Sequence, residues 1–265
     1  MRHFMTFPLD DLQRSVHLGI KSAYPNVLMG GHEGRIARVA DFLENPEIRR
    51  SKRGYLVIQG TYKGMNVTAF NHGVGTGSVS ATLPEIIEMC EDDRMNLLRM
   101  GSSGSLKSNI AIGDFVVTTD VERYESTSDK VMSADYQAAA SSAVVDSLLK
   151  IAAEHKLPNQ NLHSDKTMVT DELYHFNLKL KAQTTPFESL AVSMEASAIF
   201  AYRDFYNQKQ GRSIQAGELL VVSDCLITPN HPVQHQRITS DMEQKIEEIH
   251  IRIGLETLLA LSQKK

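Results

Sequence analysis

The sequence predicts an α/β fold, a single-domain α/β/α sandwich with a mixed central β-sheet. Short apolar runs bounded by turn residues alternate with helical patterns along the 265 residues, and such alternation is typical of α/β proteins. An apolar content of 42% and a charged content of 23% are ordinary for a globular chain. No linker rich in Pro, Gly or Ser divides residues 1–265, so one domain is the simplest interpretation.

The elements are predicted in order from their apolar patterns. Runs rich in β-branched and aromatic residues predict strands at residues 26–30, 55–61, 66–71, 96–101, 115–119, 162–169, 190–194 and 219–222. Helical patterns lie at residues 78–90, 138–156, 195–206 and 243–261. Only Tyr62, Lys63 and Gly64 separate the second run from the third, which predicts a hairpin. In sheets of this class, ligands collect where strands end and loops begin.

Charge and cysteine content exclude several classes of protein. The net charge is −4, so the chain lacks the excess of basic residues that is typical of a nucleic-acid-binding protein. Two cysteines without a CxxC pair indicate neither a zinc cluster nor a redox motif, and they fit a reducing compartment. Residues 1–11 lack the apolar core of a signal peptide, and no apolar run approaches the ~18 residues of a membrane span. We therefore expect a cytoplasmic protein with no membrane or nucleic-acid partner.

The first candidate for anion chemistry follows the first predicted strand. Gly31 lets backbone N–H groups approach an anion closely, and Arg35 can direct two hydrogen bonds onto it. A plain strand-to-helix turn with a surface arginine is an equally acceptable interpretation.

A second glycine-rich segment spans residues 72–78, with the sequence HGVGTGS. Its spacing is GxGxG rather than GxGxxG, and a hairpin precedes it, so it is a weak dinucleotide fingerprint. A group of backbone N–H donors before a helix N-terminus is a plausible alternative.

The third candidate combines Arg99, Ser102, Ser103 and Gly104 at the end of a strand. A guanidinium, two hydroxyls and glycines suit phosphate binding. The order GSSG does not match the GxSxG of a hydrolase nucleophile. A tight turn with a structural arginine is the remaining alternative.

Two carboxylates complete the set of candidates. Glu195 lies at the start of a predicted helix. Its carboxylate could accept hydrogen bonds from both hydroxyls of a vicinal diol, or it could only compensate the helix dipole. Asp224 follows a buried strand, where an acid is costly unless it is paired or functional. Ser223 could instead cap a helix with Asp224 in its first turn.

His231 and His235 lie four residues apart, but Pro232 and the lack of a third ligand argue against zinc.

Taken together, these motifs resemble the nucleoside phosphorylase-I family, and specifically its hexameric bacterial branch of purine nucleoside and uridine phosphorylases. The resemblance runs from about His17 to the final helix, and residues 53–75 are particularly similar to the purine enzymes. It implies that inorganic phosphate cleaves a ribonucleoside into a free base and ribose 1-phosphate. It also implies that no metal or organic cofactor is needed.

The resemblance also implies a role for each matching residue. Phosphate binding falls to Gly31, Arg35, Arg53, Arg99 and Ser102. Ribose binding falls to His17, Met194 and Glu195. Base binding falls to Tyr174, Asn177, Lys179, Ser103 and Gly104. The acid that protonates purine N7 is Asp224, assisted by Arg237. In the family, the residues that match Arg53 and His17 serve the adjacent subunit. The resemblance therefore implies a homo-oligomer, a hexamer built as a trimer of dimers. Residues 1–25 are expected to contribute to a neighbouring subunit.

Some positions depart from the family pattern. His32 stands where the family usually has Asp, and Ser193 replaces a usual Glu before Met-Glu. Asp224 and Arg237 favour purine nucleosides. Uridine phosphorylase is the alternative, since Asn177 and Lys179 lie where that branch reads uracil; a catalytically silent nucleoside-binding homologue is the third possibility.

Overall fold

The structure is a computed structural model that describes residues 15–174, 187–226 and 240–264. The strands are β1 (Asn26–Gly30), β2 (Glu44–Arg50), β3 (Leu56–Tyr62), β4 (Met65–Asn71), β5 (Arg94–Ser105), β6 (Phe115–Tyr124), β7 (Leu162–Thr170), β8 (Ala191–Ser193) and β9 (Ser213–Cys225). The helices are α1 (Glu33–Val39), α2 (Gly75–Glu88), α3 (Thr127–Val131), α4 (Ser142–His155), α5 (Ala196–Gln210) and α6 (Ser240–Ser262).

The described strands form one mixed sheet in the order β2-β3-β4-β1-β5-β8-β7-β6-β9. Parallel pairs β4–β1, β1–β5 and β5–β9 place several strand ends at the same edge. Because β9 pairs with both β5 and β6, the strands β5, β8, β7, β6 and β9 close into a ring. The predicted mixed central sheet is confirmed.

Helices cover both faces of this sheet. One core cluster joins Ile36 of α1, Leu148 of α4 and Ile253 of α6 to one face. A second cluster joins Ile87 of α2 and Phe200 of α5 to the other. Alternation of apolar side chains along the strands supplies both clusters, and the predicted α/β/α layering is confirmed.

Several element bounds differ from the predictions. β5 and β9 continue past the apolar runs at 96–101 and 219–222, because their polar residues still pair with each other across the ladder. The helix predicted at 138–156 begins at Ser142, since the backbone of Ala138 and Ala140 instead pairs with residues of β6. β2 was not predicted, because every one of its residues is exposed and no apolar alternation is present.

The approach of α4 to β9 leads to a first testable prediction. A Cβ added at Gly217 would lie 2.4 Å from Val144 Cγ1 and 3.1 Å from its Cβ. Val144 is buried and β-branched, so it cannot rotate away easily. We expect Gly217→Ala to lower the free energy of unfolding by about 1–3 kcal/mol, measured by urea denaturation.

The matched control is Gly77→Ala in α2, where an added Cβ meets no heavy atom within 4 Å. This variant should be neutral or gain up to about 1 kcal/mol from helix propensity. Equal stability of the two variants would contradict tight contact between α4 and β9.

Candidate active site

A cavity of about 660 Å³ opens where the ends of several strands meet. It is lined by most of the predicted site residues, namely Gly31, Arg35, Arg99, Ser102, Ser103, Gly104, Tyr174, Met194, Glu195 and Asp224. The parallel strands β1, β5 and β9 deliver some of these residues to one edge of the sheet, as is typical of α/β topology. Others follow β7 and β8, which run antiparallel to β5. Side chains that lie far apart in sequence therefore share one volume.

Arg35 reaches this cavity from α1 and is buried. Its Nη1 donates to the Met100 carbonyl oxygen and its Nη2 to Ser102 Oγ, both at 2.8 Å. Its Nε lies 3.4 Å from Oε1 of Glu247 on α6. Arg35 is therefore not a surface residue of a plain turn, and it is joined directly to the second predicted phosphate motif.

Gly31 permits a close approach between two loops. A Cβ at this position would lie 2.8 Å from the carbonyl oxygen of Gly73, closer than side-chain atoms tolerate. Glycine is therefore required where the loop after β1 meets the segment after β4. This contact brings the 72–78 segment beside the first predicted phosphate motif.

Arg99 extends from β5 between two carboxylates. Its Nη1 donates to Glu218 Oε1 at 2.5 Å, and its Nη2 donates to Glu195 Oε2. All three side chains are at most 5% exposed. A guanidinium can be buried in this way because each carboxylate offsets its charge.

Glu195 directly precedes α5 and turns its carboxylate into the cavity. Its Oε1 accepts a hydrogen bond from the Gly75 N–H at 2.9 Å, and its Oε2 accepts one from the Met194 N–H at 3.1 Å. The 72–78 segment thus binds a carboxylate of the chain itself. Burial acts to raise the pKa of Glu195, but Arg99 and these N–H donors outweigh it and lower that pKa, so the group is held ionised.

Asp224 lies on β9 at the register position of Gly104. Ser223 Oγ donates to Asp224 Oδ2 at 2.9 Å and lies 3.2 Å from the Ser103 carbonyl oxygen. Both Ser223 and Asp224 belong to β9, so the alternative in which Ser223 caps a helix is wrong.

Two hydroxyls beside the cavity are available to a ligand. Ser103 Oγ and Ser193 Oγ are buried, and neither finds a hydrogen-bond partner within the described ranges. Both residues line the cavity. A buried hydroxyl without a partner is costly, and a polar ligand would satisfy it. Tyr174, 83% exposed at the cavity wall, offers an aromatic face.

Other predicted residues lie elsewhere. His17 Nδ1 lies 2.8 Å from Glu85 Oε1, which also accepts the His17 backbone N–H, and Arg53 is exposed. Neither lines this cavity, so their service to a neighbouring subunit stays a prediction. Asn177, Lys179 and Arg237 lie outside the described residues, as do His231 and His235.

Sequence reasoning missed Glu218 and Glu247. Glu218 is fully buried one residue before the predicted strand 219–222. An acid directly beside a buried apolar run was the available signal, because such a group requires a partner. Glu247 lies in the predicted closing helix, and only the tertiary structure shows that it faces Arg35.

The described part of the chain offers neither a cluster of metal ligands nor a membrane-spanning helix. No cluster of three His, Cys, Asp or Glu side chains there could hold a metal ion. No described helix combines the length and apolar character needed to cross a bilayer. The expected independence from cofactors and the cytoplasmic location stay predictions.

The fold and the cavity define an α/β protein with two buried arginines beside buried carboxylates. The sequence model of the phosphorylase superfamily matches residues 25–258, and the chain belongs to this superfamily.

Individual relatives agree with this assignment. A purine nucleoside phosphorylase of the DeoD type from Clostridium perfringens is 28% identical over 231 residues, covering 85% of this chain and 93% of the relative. A purine nucleoside phosphorylase from Toxoplasma gondii, solved with immucillin-H, has a TM-score of 0.75 at 18% identity, over 96% of this chain and 98% of that one. A uridine phosphorylase from Vibrio fischeri has a TM-score of 0.76 at 21% identity, over 94% and 99%. These two structures share the fold.

Proposed function

We propose that the protein is a nucleoside phosphorylase, which uses inorganic phosphate to convert a ribonucleoside reversibly into a free base and ribose 1-phosphate, with purine nucleosides favoured. One observation carries the proposal: a single cavity unites Arg35, Arg99 and Ser102 with the carboxylates of Glu195 and Asp224. Phosphate, a ribose diol and a base are three ligands that these groups suit.

The phosphate step rests on the arginines. Arg35 and Ser102 are already joined at 2.8 Å, and Gly31 lies beside them at the cavity wall. Guanidinium groups bind phosphate oxygens through parallel hydrogen bonds. Holding phosphate beside the sugar replaces a bimolecular encounter by an oriented attack. Arg53 of an adjacent subunit would add a third positive charge.

The ribose step rests on Glu195. Its ionised carboxylate can accept hydrogen bonds from the 2′- and 3′-hydroxyls, while Met194 lines the same wall. The bond between C1′ and the base nitrogen breaks through a state with positive charge on the sugar, which the nearby phosphate anion stabilises. A phosphate oxygen then forms the new bond to C1′, and the base departs with the bonding electron pair.

The base step rests on Asp224. A purine anion is a poor leaving group, so a proton donated by Asp224 to N7 lowers the barrier. Ser103, Gly104 and Tyr174 lie around the same volume and would contact the base. In this proposal Arg237 assists the acid, and Asn177 and Lys179 lie near the base.

Uridine phosphorylase is the second candidate. A solved uridine phosphorylase shares the fold as closely as a purine enzyme does, so the fold does not choose between them. The acid at position 224 and the purine relative from Clostridium perfringens favour the purine base.

We further propose that the active unit is a cytoplasmic homo-hexamer, a trimer of dimers in which His17 and Arg53 reach a neighbouring site.

A phosphate-dependence assay tests the proposal. Purified protein is incubated with inosine, adenosine, guanosine or uridine, with and without phosphate, and the free base is quantified. We expect phosphate-dependent release of a purine base. Release of uracil alone would establish the second candidate instead. Release of no base would indicate an unusual nucleoside substrate or a catalytically silent nucleoside-binding homologue, and equal release without phosphate would indicate hydrolysis.

A further inference from the structure

Glu218 is a buried carboxylate to which the proposed reaction assigns no role. It lies in the middle of β9, directly opposite Arg99 in the parallel register with β5. Its Oε1 accepts from Arg99 Nη1 at 2.5 Å, and its Oε2 accepts from Thr118 Oγ1 at 2.6 Å. Thr167 Oγ1 donates to Thr118 Oγ1 at 3.2 Å. The carboxylate is therefore anchored from β6 and in turn holds one side of the Arg99 guanidinium.

The charges around Arg99 do not balance. Its single guanidinium contacts two carboxylates, those of Glu195 and Glu218, whereas Glu247, which contacts Arg35, is also paired with Arg38 at 2.9 Å. A bound phosphate or sulfate would add further negative charge in a buried volume, where repulsion is poorly screened. Uptake of one proton by Glu195 or Glu218 would restore a one-to-one pairing of charges at Arg99.

We propose that Glu218 is a positioning residue of the anion site, which fixes the Arg99 guanidinium through Nη1 and takes up a proton when an oxyanion binds. This inference rests on the proposed function. The proton comes from solvent and goes to Glu218 Oε2, whose hydroxyl then donates to Thr118 Oγ1. The Thr118 hydroxyl turns away from Oε2 and donates to Thr167 Oγ1 instead of accepting from it. Oε1 continues to accept from Arg99, so the guanidinium stays in place while Glu195 becomes the one ionised carboxylate that still contacts it.

The surroundings of Glu218 distinguish it from Glu195. Burial raises its pKa, although Arg99 and Thr118 act in the opposite direction. The pKa of Glu195 is instead lowered. The charged groups that act on Glu218 are Arg99 from β5 and Glu195 at the start of α5. On the α6 side, the neutral His250 ring donates to the neighbouring Leu219 carbonyl oxygen at 2.9 Å, and α4 presents apolar Val144 to β9.

Two substitutions separate positioning from charge. Glu218→Gln keeps an oxygen for Arg99 and an N–H for Thr118 but removes the negative charge. We expect it to bind sulfate about tenfold more tightly than the wild type at mildly alkaline pH, since a buried repulsion is lost. Glu218→Leu removes the anchor as well, so we expect it to bind sulfate more weakly than Glu218→Gln.

Calorimetry with sulfate provides the decisive measurement, because the charge of sulfate does not change over the assay range. Titration in two buffers of different ionisation enthalpy counts the protons taken up on binding. The wild type should take up a proton and bind more tightly as the pH falls through the raised pKa of Glu218. Glu218→Gln should show neither effect, and the control Glu154→Gln, which removes an exposed charge from α4, should behave as the wild type.

The outcomes distinguish this inference from the proposed function. Sulfate binding with the same affinity and the same proton uptake in the wild type and Glu218→Gln would overturn the role of Glu218 and leave the phosphorylase intact. Failure of the wild type to bind either sulfate or phosphate would overturn both. Equal destabilisation of Glu218→Gln and Glu218→Leu, with no change in sulfate affinity, would reduce Glu218 to a structural residue.

Discussion

Asp224→Asn is expected to slow phosphorolysis of ordinary purine nucleosides by about 10²–10⁴-fold, while sparing a nucleoside whose base leaves without protonation. The asparagine has nearly the same shape, so the hydrogen bond with Ser223 and the strand around it should persist. Only the transferable proton is lost. A large loss confined to substrates that need this proton would identify Asp224 as the general acid.

The measurement compares kcat/KM for inosine with kcat/KM for an N7-methylated purine nucleoside, whose base already carries the positive charge. Ser223→Ala is a matched control, because it removes the neighbouring hydroxyl but keeps the acid. It should affect both substrates alike and only modestly. An equal loss on both substrates in Asp224→Asn would assign Asp224 to base binding or structure rather than to proton transfer.

Arg99→Lys is expected to raise the KM for phosphate by about tenfold or more, because a point charge replaces a planar group with several directed donors. Lysine is preferable to alanine here. Alanine would leave Glu195 and Glu218 buried without their common cation, and breaking a buried ion pair costs about 3–5 kcal/mol. Lysine keeps the charge and tests the geometry.

The control is Arg212→Lys. Arg212 is also buried, and its Nη1 donates to the carbonyl oxygens of Cys90 and Asp92, yet it does not line the cavity. This control should lower thermal stability without changing the phosphate dependence. If Arg99→Lys also left the KM for phosphate unchanged, Arg99 would serve the two carboxylates rather than the co-substrate.

The fold could be predicted where the sequence carries local patterns. Apolar runs gave most strands, because a buried strand must remove its side chains from water. β2 has no buried side chain, so its pairing with β3 leaves no signature. The ring could not be predicted either, because a local apolar pattern does not indicate which strand pairs with which. This ring consists of β5, β8, β7, β6 and β9.

The candidate site shows the same division. Four residues could be predicted, namely Gly31, Arg35, Arg99 and Ser102. Each lies within a few residues of a predicted strand end, and glycines and arginines at such positions are suited to binding anions. The hydrogen bond between Arg35 and Ser102 was not predicted, since these residues are 67 positions apart. Glu218 was missed for the same reason: its significance depends on its register with Arg99.

The pairing of Arg99 with Glu218 also bears on how the chain folds. The two residues lie 119 positions apart, so β5 and β9 meet only after a large loop has closed, an entropically expensive and slow event. A slip of one residue would turn Glu218 to the opposite face of the sheet, and its carboxylate would be buried without Arg99. The ion pair therefore penalises misaligned closure, and a neutral replacement at both positions should fold to a less uniquely aligned sheet even if it is no less stable.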